Sequence, residues 1–229
     1  MMKNILYTLS IFTVLTIVSC GLDNRDEPES TIRGRVVYNG EAVGVRGTGE
    51  AVQLQLFQDG YELRNPVPVY VTQDGTFEIK IFDGEYKLVT RNNNGPWVND
   101  RDTTVVRLQG VTDVDLEVTP LFTLSNVSLA LNGGSLSASF QVNQVTQGWD
   151  IDYATIVVGR TLFVDDVSYT ARRDLSNVNT GVLITESLDL TENADFKNGR
   201  ALYARIGLRA AGKDQSIYSQ VIKIRSLIE

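Results

Sequence analysis

Short runs in which apolar and polar side chains alternate, each closed by a glycine-containing turn, recur along this chain and restrict it to sheet architectures. The sharpest is Gly75-Thr76-Phe77-Glu78-Ile79-Lys80-Ile81-Phe82, then Asp83-Gly84, then Glu85-Tyr86-Lys87-Leu88-Val89-Thr90. Successive side chains on a strand point to opposite faces, so Phe77, Ile79 and Ile81 share one face, while Tyr86 and Leu88 line one face of a partner strand. The pattern repeats at 31–38 before Asn39-Gly40, at 51–57 before Asp59-Gly60, and at 67–71, 102–108 and 112–118. Pro68 cannot donate to a sheet ladder, which marks its run as an edge strand or a bulge. Roughly seven strands at turn spacings of about 8 to 15 residues predict an antiparallel sandwich over 31–119.

Thr119-Pro120 closes that set, and the domain boundary is placed there. A second alternating set starts at 121–131, turns at Asn132-Gly133-Gly134 and returns over 135–142 as a hairpin. Further strands are expected at 151–159, 181–188, 200–210 and 217–224, which makes 120–229 a second sandwich. No segment repeats at a period of about 20 to 50 residues, which disfavours a solenoid or propeller.

The start of the chain does not belong to this pattern. Lys3 precedes an uncharged apolar stretch from Asn4 to Ser19, and Cys20 follows. That stretch is shorter than the roughly 20 residues a bilayer-spanning helix needs, and no basic cluster follows it, so it reads as a signal peptide over 1–19. Ile17-Val18-Ser19-Cys20 resembles the bacterial lipobox, whose cysteine is acylated and becomes the first mature residue. Two or three acyl chains, each buried methylene adding about 0.8 kcal/mol, anchor a protein stably. Gly21-Leu22-Asp23-Asn24-Arg25-Asp26-Glu27-Pro28-Glu29-Ser30 is polar and acidic, so 20–30 is expected to be a lipidated cysteine with a flexible linker. Its acidity resembles the signal that exports Bacteroidetes lipoproteins to the cell surface, without the usual compact acidic run beside the cysteine. A plain solvated linker is the alternative reading. The expected fold class is therefore all-β, two antiparallel β-sandwich domains in tandem after a lipoprotein signal peptide and tether.

Composition narrows the chemistry. The chain carries a formal charge of −7 and no histidine, and Cys20 is its one cysteine. Loss of Lys3 with the signal peptide leaves 20 basic against 28 acidic side chains, a charge of −8. That field disfavours a nucleic-acid partner. Without histidine or a free thiol, the usual general base, zinc sites and Ser-His-Asp or Cys-His nucleophiles are missing. Only carboxylate chemistry survives, and no catalytic residue, metal site or cofactor is assigned. Asp113/Asp115, Asp150/Asp152 and Asp165/Asp166 offer hard oxygen ligands for calcium but lack the density of a recognised loop, and alternate acids on a strand are ordinarily its solvated face. A glycosidase needs two carboxyl groups held about 5 to 10 Å apart, which spacing in sequence does not establish. Asn126-Val127-Ser128 fits a eukaryotic glycosylation sequon that a bacterial signal makes irrelevant, and it reads as strand.

Sugar-binding proteins stack pyranose rings on exposed aromatic faces and hold hydroxyls with amides and acids. Trp97 sits in such a context, Arg91-Asn92-Asn93-Asn94-Gly95-Pro96-Trp97-Val98-Asn99-Asp100-Arg101. Trp97, Asn93, Asn94, Asn99, Asp100 and Arg101 are the candidate ligand-binding set; the alternative is a Trp97 folded back to cap the sandwich. Trp149, leading into a strand, reads as core packing.

Ile32-x-Gly34-x-Val36 with Gly40-Glu41-x-Val43, Gly75-x-Phe77-x-Ile79 and Gly84-x-Tyr86-x-Leu88 resemble the carboxypeptidase-regulatory or transthyretin-like sandwich. Tyr203-x-Arg205-x-Gly207 followed by Ser219-x-Val221 resembles the last strands of a fibronectin type III domain. With the lipobox, the mature chain is similar to the Bacteroidetes lipoprotein family catalogued as domain of unknown function 3823. Because that family tends to be encoded beside outer-membrane glycan importers, the resemblance implies an accessory, non-catalytic role in capturing a polysaccharide or oligosaccharide. Its partners would be the membrane, through Cys20, and an importer with its partner lipoproteins at the cell exterior. The alternative is a structural or docking lipoprotein that binds no sugar. An aromatic loop rim would favour the first, and a large exposed apolar flank the second.

Overall fold

The computed structural model describes residues 26–60 and 65–227. The expected signal peptide, Cys20 and the first part of the expected linker lie outside the described residues.

Eight strands build the first sandwich: β1 (Ser30–Tyr38), β2 (Glu41–Ala42), β3 (Gln53–Gln58), β4 (Val67–Tyr70), β5 (Thr76–Ile81), β6 (Gly84–Thr90), β7 (Thr104–Leu108) and β8 (Val111–Glu117). One sheet centres on β1, with β5 and β2 antiparallel along one side and β8 parallel along the other. The other has the order β4-β3-β6-β7, all antiparallel. Ile32 and Val36 of β1, Phe77 of β5 and Leu116 of β8 face Leu54, Leu56, Leu88 and Val106 across a buried core. The parallel β1–β8 pair departs from the expected all-antiparallel sheet. Strands β2 to β7 form the long crossover that a parallel pair requires.

The turns separate into two kinds. Asn39 and Gly40 both adopt positive φ (52° and 78°) and join β1 to β2 in register Tyr38↔Glu41, the conformation a two-residue hairpin requires. Asp83-Gly84 behaves differently and corrects the expected hairpin. Strand β5 pairs with β1 and β6 pairs with β3 and β7, so these neighbours lie in opposite sheets. Asp83 turns this corner with its side chain: its carboxylate accepts hydrogen bonds from the Ser30 hydroxyl and from the Gly110 N–H. β4 lies at a sheet edge, where Pro68 costs no ladder bond.

The second sandwich sets a three-stranded sheet, β13-β10-β9, against a five-stranded one. The first holds β9 (Phe122–Asn132), β10 (Ser135–Gln144) and β13 (Leu183–Asp189). The second holds β11 (Ile151–Gly159), β12 (Ala171–Leu175), β14 (Leu202–Ala210), β15 (Ile217–Tyr218) and β16 (Ile222–Arg225). Helix α1 (Ala194–Lys197), capped by the Asn193 side chain on the Phe196 N–H, precedes β14. The expected final strand at 217–224 is broken into β15 and β16, both paired with β14.

The sandwiches share one contiguous cluster of buried apolar side chains, reaching from Val45 and Trp97 in the first to Phe122 and Ile217 in the second. The backbone of 96–98 straps the inter-sandwich linker, 119–121: Leu121 N–H donates to Pro96 O (3.1 Å) and Val98 N–H to Thr119 O (2.8 Å). On the other side, Tyr218 N–H donates to Gly44 O (2.9 Å).

Candidate binding cleft between the sandwiches

Trp97 is buried, 2% exposed, and packs in the common core. Its carbonyl accepts a hydrogen bond from Lys213 Nζ (3.2 Å). This corrects the expectation of an exposed stacking platform. Pairing of 96–98 with the linker turns the ring inward, where an indole gains far more from burial than from solvent. The polar residues of its loop stay outside. Asn93 and Asn99 are joined by a backbone-to-side-chain bond of 3.0 Å. Asn94 is half-buried and pinned to the first sandwich at Gln53 N–H and Ala51 O. Asp100 is exposed, and Arg101 donates to Gln55 (3.0 Å) beside a shallow 370 Å³ pocket that also touches Phe57 and Lys87. Without the ring, the set has no shared apolar surface. Trp149 is half-buried against the core, with Lys213 Nζ 5.0 Å from its ring centre.

The paired acids disperse as well. Asp113 and Asp115 sit opposite Arg33 and Arg35 in the parallel β1–β8 register and form ion pairs of 2.6 and 2.5 Å on an open face. Asp152 pairs with Arg209, and Asp150 is exposed.

Asp165 and Asp166 lead to a better site. Asp165 is buried and accepts from the N–H groups of Val167 (3.0 Å), Ser168 (2.9 Å) and Thr48 (2.9 Å), the last from the other sandwich. Burial raises its carboxyl, but those hydrogen bonds outweigh burial and hold it below the usual carboxylate range. Asp166 N–H donates to the Tyr218 hydroxyl (3.1 Å), and burial pushes that phenol above its ordinary range. Beside it the Arg205 guanidinium is fully buried, 4.1 Å from the Tyr218 ring centre, and Nη2 donates to Val45 O (3.0 Å). Arg205 Nε has no hydrogen-bond partner among the described residues. Desolvation pulls this guanidinium down to about 10, so it stays charged at neutral pH.

Above this floor opens a cleft of about 720 Å³ between the sandwiches. The first sandwich supplies Tyr38, Asn39, Glu41, Gln73 and Asp74, and the second supplies Leu162, Tyr218, Ser219 and Gln220, among others. Gln73 ties the two, with Nε2 donating to Leu162 O (2.9 Å) and Oε1 facing Arg205 Nη1 (3.4 Å). Gln73 and the Ser219 hydroxyl are engaged within the protein, so the cleft offers the exposed amides of Asn39 and Gln220 beside Tyr38 and Leu162, a set suited to hydroxyl-rich ligands with an apolar face. Sequence reasoning did not assemble it, because its residues fall in six distant segments. Tyr203-x-Arg205-x-Gly207 with Ser219-x-Val221 was the one signal, and it was visible only as strand resemblance.

A family model described as the protein of unknown function (DUF3823) N-terminal domain matches residues 30–119, and a DUF3823_C domain of unknown function matches 122–223. A DUF3823 family protein from Parabacteroides merdae ATCC 43184 is similar at 48% identity and a TM-score of 0.83, covering 87% of this chain and 100% of that one. Another from Bacteroides ovatus ATCC 8483 is similar at 34% identity and 0.78, with the same coverage. A protein from Bacteroides uniformis ATCC 8492, described as a candidate carbohydrate binding protein, shares the fold at 20% identity and 0.72, covering 86% of this chain and 99% of that one. Among curated proteins none is similar at a significant level. With both sandwiches matched by its two domain models, this chain belongs to the DUF3823 family.

Proposed function

We propose that this chain is a non-catalytic, lipid-anchored accessory protein of the outer membrane that binds glycan in the cleft between its sandwiches for a polysaccharide-uptake system. The observation that carries the reading is the cleft itself, about 720 Å³, with the exposed amides of Asn39 and Gln220 beside Tyr38 and Leu162. Amides match sugar hydroxyls, and the tyrosine and leucine match a pyranose C–H face. The fold shared with the Bacteroides uniformis protein described as a candidate carbohydrate binding protein agrees with this. Anchoring rests on the lipobox at Cys20. Orientation supports it: β1 begins at the tether, and its far end, Tyr38, lines the cleft. Nine extended residues span about 30 Å, which agrees with a cleft held at a distance from the anchored end. The lining carboxylates, Glu41 and Asp74, are open to solvent, which suits hydroxyl binding better than enclosed acid–base work.

Affinity electrophoresis of the 23–229 fragment across a polysaccharide panel tests this. Ala42 is an exposed position lining the cleft, so Ala42→Trp obstructs it without touching the core. Retardation by a glycan that Ala42→Trp loses at unchanged melting temperature is expected. A panel that retards neither protein overturns the reading and leaves the docking protein.

A further inference from the structure

Loop 160–170 between β11 and β12 displays four large apolar side chains: Leu162 (55% exposed), Phe163 (70%), Val167 (58%) and Tyr169 (46%). The loop is nonetheless rigidly held. The buried Asp165 carboxylate binds the Val167 and Ser168 N–H groups, the Ser168 hydroxyl reaches Phe163 O (3.3 Å), and Thr48 and Gln73 tie the loop to the first sandwich. A loop backbone held in this way lowers the ordering cost of binding a partner at its apolar side chains. Leu162 lines the inter-sandwich cleft, so the loop continues that site outward.

Charge selects the ligand class. The charged side chains lining the cleft are Glu41 and Asp74, both exposed, and Arg205, which is fully buried under its own partners. Among the described residues lining the cleft none is an accessible cation, so the two carboxylates disfavour an anionic ligand there; the exposed Arg160 stands at the start of the loop, outside the lining. We infer that the ligand is an uncharged oligosaccharide longer than the cleft, with its outer units passing over loop 160–170 and stacking on Phe163. The inference rests on the cleft reading above.

Calorimetric titration of the 23–229 fragment with short and long uncharged oligosaccharides of a retained glycan, and with uronate-bearing chains of matching length, tests it. Phe163→Ala is expected to weaken the long chains about tenfold and leave the short ones unchanged. Phe163→Tyr is expected to restore the long-chain affinity, and uronate chains to bind more weakly than uncharged ones. Wild-type binding with Phe163→Ala equal at every length, or uronate chains binding more tightly, overturns the extended neutral site while the cleft reading stands. No binding at any length overturns both.

Discussion

At the scale of single residues, burial separates the two tryptophans of the chain: Trp97 lies inside the core and Trp149 is half-buried against it. Trp97 fills the junction where the 96–98 backbone pairs with the linker. Trp97→Ala is therefore expected to cost about 3–5 kcal/mol of stability, read as a drop in the denaturant midpoint. A variant as stable as wild type would contradict this placement. The loop was legible as amide-rich and its ring as aromatic. The inward turn of that ring was not, because it depends on pairing with Thr119 and Leu121 across a domain boundary.

Among elements, the β11–β12 loop depends on one carboxylate. In Asp165→Asn, an amide group must face one of the N–H donors of Thr48, Val167 or Ser168, leaving buried donors opposed, at a cost of about 1–3 kcal/mol. The pH dependence follows from the lowered carboxyl. A depressed folded-state value stabilises above the unfolded carboxylate range and is lost as pH falls through the folded one. The stability gap between wild type and Asp165→Asn, measured by urea titration, is thus expected to be full at pH 6 and to shrink below about pH 4. A gap that widens on acidification would contradict the assignment.

Strand periodicity made most of the ladder readable, and Asn-Gly marked its hairpin correctly because both residues take positive φ. Asp-Gly misled because Asp83 spends its side chain on Ser30 and Gly110, turning a corner between sheets. Strand β12 escaped detection because Arg172, Arg173 and Asp174 occupy the middle of it. Arg172 lies between the rings of Tyr153 and Tyr169, and Arg173 reaches Ser187 O on the other sheet, so its residues pack through cations that periodicity does not register.

The whole molecule is two sandwiches joined by a buried cluster common to both, which makes the junction structural. Gly44 lies where the two backbones meet: a Cβ there would come within 2.5 Å of Tyr218 O. Calorimetry of the 23–229 fragment is expected to show one cooperative transition, and Gly44→Ala to lower its midpoint by several degrees or split it in two. A Gly44→Ala variant that melts as wild type does would contradict a tight junction. The cleft was illegible in the sequence because residues 38–44, 73–74, 205 and 217–221 converge only after both sandwiches form and dock. Its location is tested most directly by hydrogen exchange of the 23–229 fragment with and without a retained oligosaccharide. The account predicts added protection at 38–44 and 217–221, with the 91–101 loop unchanged; protection confined to 91–101 would contradict it.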